Sequence, residues 1–117
     1  SEFKGAFTEN YVLSQIKSLE KHDEMDKNIF YFIKDSSTQE VDFVVQGRMR
    51  VIPTEVKAEE NVQSKSLRVF VCDDHKDMHL KGLRLSMKPY RDQEWMENLP
   101  LFCAEAFFTK EGLGTDE

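Results

Sequence analysis

The sequence contains few of the residues that mark specialised folds: two cysteines, three prolines and five glycines among 117 residues. Cys72 and Cys103 stand far apart without a paired motif, which is the ordinary usage of a reducing cytoplasm rather than a disulfide framework. No apolar run approaches the roughly 18 residues that a membrane span requires, and no basic and apolar leader opens the chain. We therefore expect a soluble, cytoplasmic protein without a membrane partner.

The few glycines form no Walker-type loop, so this chain cannot itself be a P-loop ATPase. Basic residues are also scarce, since 16 Lys and Arg face 22 Asp and Glu and leave a formal net charge of −6. Nonspecific nucleic-acid affinity comes largely from cations that neutralise phosphates. The charge balance therefore argues against strong unaided binding to a polyanion.

The length and the 39% hydrophobic share predict one domain over residues 1–117 with a modest core. Helical periodicity between Gly5 and Lys21 predicts an amphipathic helix, and Ser64 is positioned to cap a second one. Strand patterns cover residues 29–33, 40–45, 51–57 and 83–87, and residues 99–108 are apolar enough for a closing helix or packed tail. The predicted order is α-β-β-β-α-β plus a tail, with an antiparallel meander and Pro53 near the start of its strand or at a bulge.

The residues with the clearest chemistry lie in the second and third predicted strands. Glu55 and Lys57 are two apart, so their side chains leave one face while Val56 points into the opposite layer. Asp42, on the neighbouring strand, can bring a second carboxylate within metal-sharing distance. Mg²⁺ or Mn²⁺ prefers such oxygen ligands, with the carbonyl of Val56 as a further one. Lys57 can orient the attacking water or stabilise charge on a phosphate.

Glu9 interrupts the apolar face of the first helix, three residues before Val12 and seven before Ile16. A carboxylate on a buried face needs a cation or hydrogen-bond donors. We expect Glu9 to complete the metal site from the helix. The alternative is a carboxylate placed near a helix N-terminus because the helix dipole favours it there.

These motifs resemble the PD-(D/E)XK nuclease superfamily: Glu9 in an N-terminal helix, residues 40–43 in one strand and residues 53–57 in the next. In many members a proline precedes the first carboxylate, whereas Asp42 follows Val41. Residues 4–10, 65–67 and 84–86 more closely resemble the C-terminal domain that follows an AAA+-type ATPase module in many prokaryotic proteins. The resemblance covers nearly the whole chain.

The resemblance implies an α/β domain with a restriction-endonuclease-like αβββαβ core and Mg²⁺-dependent phosphodiester cleavage, most simply of DNA. In it Asp42 and Glu55 are metal ligands, Lys57 is the catalytic base or stabiliser, Glu9 is an auxiliary acid and Lys65 reaches in from the second helix. The chain would be the C-terminal part of a longer ATPase, and only that N-terminal module would use ATP. The module, a homo-oligomer or both would supply the phosphate grip that an acidic domain lacks.

Several alternatives stay open at the level of sequence. Glu55 and Lys57 by themselves are also a common surface pair on a half-exposed sheet. The spacing of Cys72, His75 and His79 resembles that of soft-metal ligands, although a solvated turn is the more frequent reading. Three cations either contact phosphate or are ordinary surface charges: Arg84, Lys88 and Arg91. Three apolar residues are expected in the core: Trp95, Met96 and Phe102.

A second hypothesis belongs to a different functional class. The domain would then keep the nuclease fold without catalysis and serve as an interaction or regulatory domain that docks the ATPase module or another protein.

Overall fold

A computed structural model describes residues 8, 10–14, 29–31, 43–58 and 63–112. Residues 10–14 belong to a helix, α1. Six strands follow along the chain: β1 (Ile29–Tyr31), β2 (Phe43–Gln46), β3 (Val51–Val56), β4 (Gly82–Ser86), β5 (Arg91–Asp92) and β6 (Met96–Pro100). The helices among and after them are α2 (Lys65–Arg68), its π-helical continuation Val69–Asp74, the 3-10 turns Lys76–Met78 and Leu101–Cys103, and α3 (Ala104–Lys110).

The strands form one mixed sheet in the order β1-β2-β3-β4-β6-β5. β1, β2 and β3 are an antiparallel meander, as the sequence predicts. The chain then crosses through α2, so that β4 lies parallel to β3, and β6 lies parallel to β4 on its far side. β5 returns antiparallel along β6 and ends the described sheet. The fold is therefore a mixed α/β domain with three parallel strands at its centre.

We expected Pro53 near the start of its strand or at a bulge; it is the third of the six residues of β3 and lies within the ladder, opposite Val44. In an antiparallel ladder, bonded and non-bonded pairs alternate. The backbone bond from Gly47 N to Arg50 O (2.8 Å) makes that pair a bonded one, so the Val44–Pro53 pair is non-bonded. The nitrogen of Pro53 therefore faces away from β2, and the pairing with β4 begins only at Thr54. A central strand tolerates proline here because no ladder bond needs its missing N–H.

The two faces of the sheet carry separate apolar clusters. One face packs against α1 and α3 through Val12, Phe43, Val45, Ile52, Leu83, Leu85, Ala104 and Phe108. The other packs against α2 and its π-helical continuation through Val44, Leu67, Phe70, Val71 and Met96. Because helices cover both faces, a polar residue on a central strand is buried whichever way it points. None of the helices in the described part of the chain has the length and apolar character needed to cross a membrane.

The C-terminal region differs most from the predicted pattern. Leu99 belongs to strand β6, so only residues 101–108 of the predicted stretch are helical, and the last helix continues to Lys110. Strands β5 and β6 were not predicted, because Glu97, Asn98 and Pro100 give their region little β-propensity. Met96 is buried, as expected, whereas Phe102 is 83% exposed and is not a core residue.

Candidate functional site

A row of polar side chains crosses four neighbouring strands on the face that carries α2. Glu55 of β3 pairs with Arg84 of β4, Arg84 pairs with Asn98 of β6, and Asn98 pairs with Arg91 of β5. Directly paired residues of adjacent strands place their side chains on the same face, with about 4.8 Å between strands. We call these four residues the polar row. Glu55 lies near the carboxyl end of β3, whereas Arg84 and Asn98 are the central residues of β4 and β6.

Glu55 forms one end of the polar row, and Lys57 lies beside it. Glu55 is 6% exposed, and its Oε1 lies 3.4 Å from Nζ of the half-exposed Lys57. The backbone N–H of Lys57 donates to the carbonyl of Leu85, which fixes the chain just beyond β3 to β4. Val56 packs against the core of the opposite face, as the alternation predicts. The carboxylate and the ammonium group therefore meet on one face at the end of β3.

Arg84 is buried beside them, with 8% of its surface exposed. Its Nε donates to Oδ1 of Asn98 at 2.8 Å and its Nη1 donates to Oγ of Ser64 at 2.9 Å. Burial lowers the pKa of Arg84 from its ordinary value, while the charge of Glu55 raises it and that of Arg91 lowers it further. A guanidinium remains charged in proteins. The polar row therefore holds a desolvated cation next to the carboxylate of Glu55.

Asn98 holds the middle of the polar row. Its Oδ1 accepts hydrogen bonds from Arg84 and from Oγ of Ser86, the latter at 2.7 Å. Its Nδ2 donates to the carbonyls of Lys88 and Pro89 at 3.1 and 2.9 Å. The four bonds use both lone pairs and both N–H groups of the amide. Asn98 thereby fixes the position of Arg84 and the path of the chain after β4.

The structure places some of the predicted site residues and leaves others undetermined. Glu55, Lys57 and Val56 lie together at the end of β3. Lys65 is exposed as the first residue of α2, next to the Ser64 that bonds Arg84. Glu9 and Asp42 lie outside the described residues. Among the residues that are described, no three His, Cys, Asp or Glu side chains come close enough to hold a metal ion.

Cys72, His75 and His79 do not form a metal site within the described segments. Nδ1 of His75 lies 3.0 Å from the carbonyl oxygen of Phe70, and the centroids of the His75 and Phe70 rings are 4.0 Å apart, with the ring planes tilted by 34°. Cys72 and His79 line a cavity of about 380 Å³ from which His75 is absent. Cys72, His75 and His79 therefore lie at the end of a helix and in the turn after it, and their ligand-like spacing follows from that position.

Sequence reasoning missed the part of the site that lies beyond β3. Arg84 alternates with Leu83 and Leu85, which is typical of a strand with one solvated face, and this pattern predicts a phosphate contact or a surface cation. Asn98 belongs to no motif, and Ser86 enters only through the resemblance carried by residues 84–86. The polar residues of β4 indicate a buried site only because β4 lies between two other strands. That position cannot be inferred until β6 is known to lie beside β4.

Comparison with known proteins adds one match. A family model described as Domain of unknown function (DUF4143) matches residues 4–103. No curated protein and no solved structure shows significant similarity to the chain.

Proposed function

The chain belongs to the DUF4143 family, and we propose that this domain is a divalent-metal-dependent nuclease that hydrolyses phosphodiester bonds of DNA. The observation that carries the proposal is the buried carboxylate of Glu55 beside the ammonium group of Lys57, 3.4 Å apart at the end of β3. A carboxylate and a lysine in a partly desolvated site are the groups that metal-assisted phosphate hydrolysis uses.

The order of the described elements supports the proposal. The antiparallel meander β1-β2-β3, the crossover through α2 and the parallel strand β4 follow the order that the resemblance to PD-(D/E)XK nucleases implies. Phe43, the residue after Asp42, pairs with Thr54, the residue before Glu55. The described register thus brings the start of β2 to the part of β3 that carries Glu55.

The oxygen donors at the end of β3 fit a hard cation such as Mg²⁺ or Mn²⁺. The described residues supply the carboxylate of Glu55 and the carbonyl of Val56, and we propose Asp42 and Glu9 as the remaining protein ligands. When bound, the cation would polarise the phosphate and lower the pKa of a water molecule. Two carboxylates and waters are the usual complement for Mg²⁺, so no dedicated cage is required.

The residues of this chain would position and neutralise the reacting phosphate. Hydrolysis joins a water oxygen to phosphorus and breaks one P–O ester bond, and a proton passes to the leaving oxygen. Lys57 would orient the water or stabilise negative charge on the phosphate, since its ammonium group is already held beside Glu55. Lys65, exposed at the start of α2, would assist from the helix.

The acidic composition bears on how such a domain would hold DNA. With a net charge of −6, the domain depends on local cations, and we propose that an N-terminal AAA+-type ATPase module or a second copy supplies further phosphate contacts. ATP would be bound by that module alone.

Cleavage of supercoiled, single-stranded and branched DNA in Mg²⁺ or Mn²⁺ tests the proposal. We expect Lys57→Ala to reduce cleavage by about 10²–10³-fold, the cost of removing one preorganised charge-stabilising group. Asp42→Asn and Glu55→Gln should reduce both cleavage and the heat of metal binding in calorimetry. Glu105→Gln and Lys76→Ala change exposed charges outside the polar row and serve as matched controls.

Cleavage that survives Lys57→Ala and Glu55→Gln would show that another site or a contaminant is responsible. A chain that binds neither cation in calorimetry, alone or within the full-length protein, would refute the nuclease proposal and favour a noncatalytic interaction domain.

A further inference from the structure

A basic pocket opens at the far end of the polar row from Glu55. It encloses about 400 Å³ and is lined by Arg84, Lys88, Pro89, Tyr90, Arg91 and Asn98. Three of these six residues are cations and none is acidic. In a chain whose acidic residues outnumber its basic ones, this places three positive charges around one cavity.

The floor of the pocket carries a cation that solvent screens little. Arg84 is nine-tenths buried, and its bonds to Asn98 and Ser64 use two of the five N–H donors of its guanidinium group. A guanidinium fork matches the oxygens of phosphate in geometry as well as charge. In a partly desolvated setting its attraction for an anion is stronger than that of an exposed cation.

The wall of the pocket is fixed by hydrogen bonds rather than by exposed side chains alone. Asn98 donates to the carbonyls of Lys88 and Pro89, and the backbone N–H of Lys88 donates to Oγ of Ser86 at 3.1 Å. The turn that carries Lys88 is therefore tied to β4 and β6. A cation on such a turn loses little further backbone freedom when it binds an anion.

We propose that the pocket lined by Arg84, Lys88, Tyr90 and Arg91 binds a phosphate group. The inference rests on the proposed function for its source, since there the phosphate belongs to the DNA strand, at a position beside the one cleaved. Glu55 and Arg84 are paired residues of neighbouring strands, so a polynucleotide reaching Glu55 and Lys57 continues toward the pocket. The pocket then supplies some of the cationic phosphate contacts that a domain with a net negative charge otherwise lacks.

The test measures binding without cleavage. A short fluorescent single-stranded DNA oligonucleotide is titrated with the chain in EDTA and followed by anisotropy. We expect Lys88→Ala and Arg91→Ala each to weaken binding on the order of 5-fold, and each to lower the slope of log affinity against log salt by about 1. Both residues are exposed, so the variants should fold. Lys76→Ala and Lys110→Ala remove exposed cations away from the pocket and should bind like the unmodified chain.

A second measurement distinguishes two sources of the bound phosphate group: a DNA strand and free inorganic phosphate. Inorganic phosphate should compete with the oligonucleotide and should raise the melting temperature of the chain but not of Arg91→Ala. Stabilisation by inorganic phosphate without DNA binding would support the pocket and assign it to free phosphate. If Lys88→Ala and Arg91→Ala bind both probes as the unmodified chain does, the inference is overturned.

The outcomes for the pocket and for the nuclease are distinguishable. Binding that depends on Arg91, in a chain that never cleaves, upholds the pocket while the nuclease proposal fails. Cleavage that depends on Lys57, with no effect of Lys88→Ala or Arg91→Ala on binding, upholds the nuclease and refutes the pocket.

Discussion

Arg84 and Asn98, fourteen residues apart in the chain, pair directly across β4 and β6 and are joined by a 2.8 Å hydrogen bond from Nε to Oδ1. Asn98 is 1% exposed, so water does not replace this bond or the three others that its amide makes. The pair links the buried cation of the polar row to the turn that shapes the basic pocket. The stability of the fold and the shape of the site therefore depend on the same amide.

Replacement of Asn98 by leucine should destabilise the domain. Leucine has a similar volume but leaves Arg84 and Ser86 without their acceptor and two carbonyls without donors. Buried polar groups deprived of partners cost about 1–3 kcal/mol each, and the losses within one network are not additive, so we expect about 2–4 kcal/mol. Urea denaturation followed by circular dichroism measures the change, with the exposed Glu94→Gln as control. A midpoint equal to that of the control would contradict a structural role for the network.

Replacement of Gly82 by alanine should also destabilise the domain, for a steric reason. A Cβ built on Gly82 would lie 3.0 to 3.2 Å from three side-chain carbons of the fully buried Leu67. Overpacking of this kind costs about 1–3 kcal/mol. The matched test is Leu67→Ala, which should cost less in the Gly82→Ala background than in the unmodified chain because it removes the clash. Additive losses in this double-mutant cycle would show that the two residues do not compete for space.

An ion pair between Arg50 and Glu111 joins the hairpin between β2 and β3 to the end of α3. Arg50 donates to both carboxylate oxygens of Glu111, from Nε at 2.8 Å and from Nη2 at 3.1 Å. The bond to Glu111 raises the pKa of Arg50, so the guanidinium stays charged. Because a third of the Arg50 side chain is exposed, solvent screens the pair, and we expect a coupling of about 0.5–1.5 kcal/mol.

A cycle of Arg50→Met and Glu111→Gln measures that coupling by thermal or urea unfolding. Added salt should reduce it, since exposed ion pairs are screened. A coupling of zero at low salt would mean that the backbone bond from Arg48 N to Glu111 O, at 2.8 Å, holds the hairpin by itself.

Metal binding should be visible as stabilisation if the proposed function is correct. A cation that binds only the folded chain raises its stability by about 2.7 kcal/mol at a hundredfold excess over the dissociation constant. We expect millimolar Mg²⁺ or Mn²⁺ to raise the melting temperature of the unmodified chain and of Glu105→Gln, but not of Glu55→Gln. An equal rise in all three would indicate nonspecific binding to acidic surface residues.

The sequence was sufficient for the elements whose pattern is local. Alternation and turn residues predicted β2, β3 and β4, and the two-residue spacing of Glu55 and Lys57 placed them on one face, as the structure shows. Ser64 was placed correctly before α2, although its hydroxyl accepts from Arg84 and makes no capping bond.

The rest of the site depends on partners far along the chain. Arg84 resembles a solvated strand residue until β6 is placed beside β4, and β6 carries Glu97, Asn98 and Pro100, residues that strands seldom favour. What makes Asn98 suitable there is the set of groups around it, which come from β4 and from the turn after β4. These contacts cannot be predicted from residues adjacent in the sequence, because they form only when the sheet order β4-β6-β5 brings the strands together.

β5, the last strand of the described sheet, has only two residues, Arg91 and Asp92, both exposed and charged. A long, flat, apolar strand in that position would offer its unsatisfied backbone groups to another chain and invite aggregation. A short charged one does not. This margin of the sheet is consequently protected against growth by strand addition, and a macromolecule that approaches it must engage side chains such as Arg91 instead of extending the ladder.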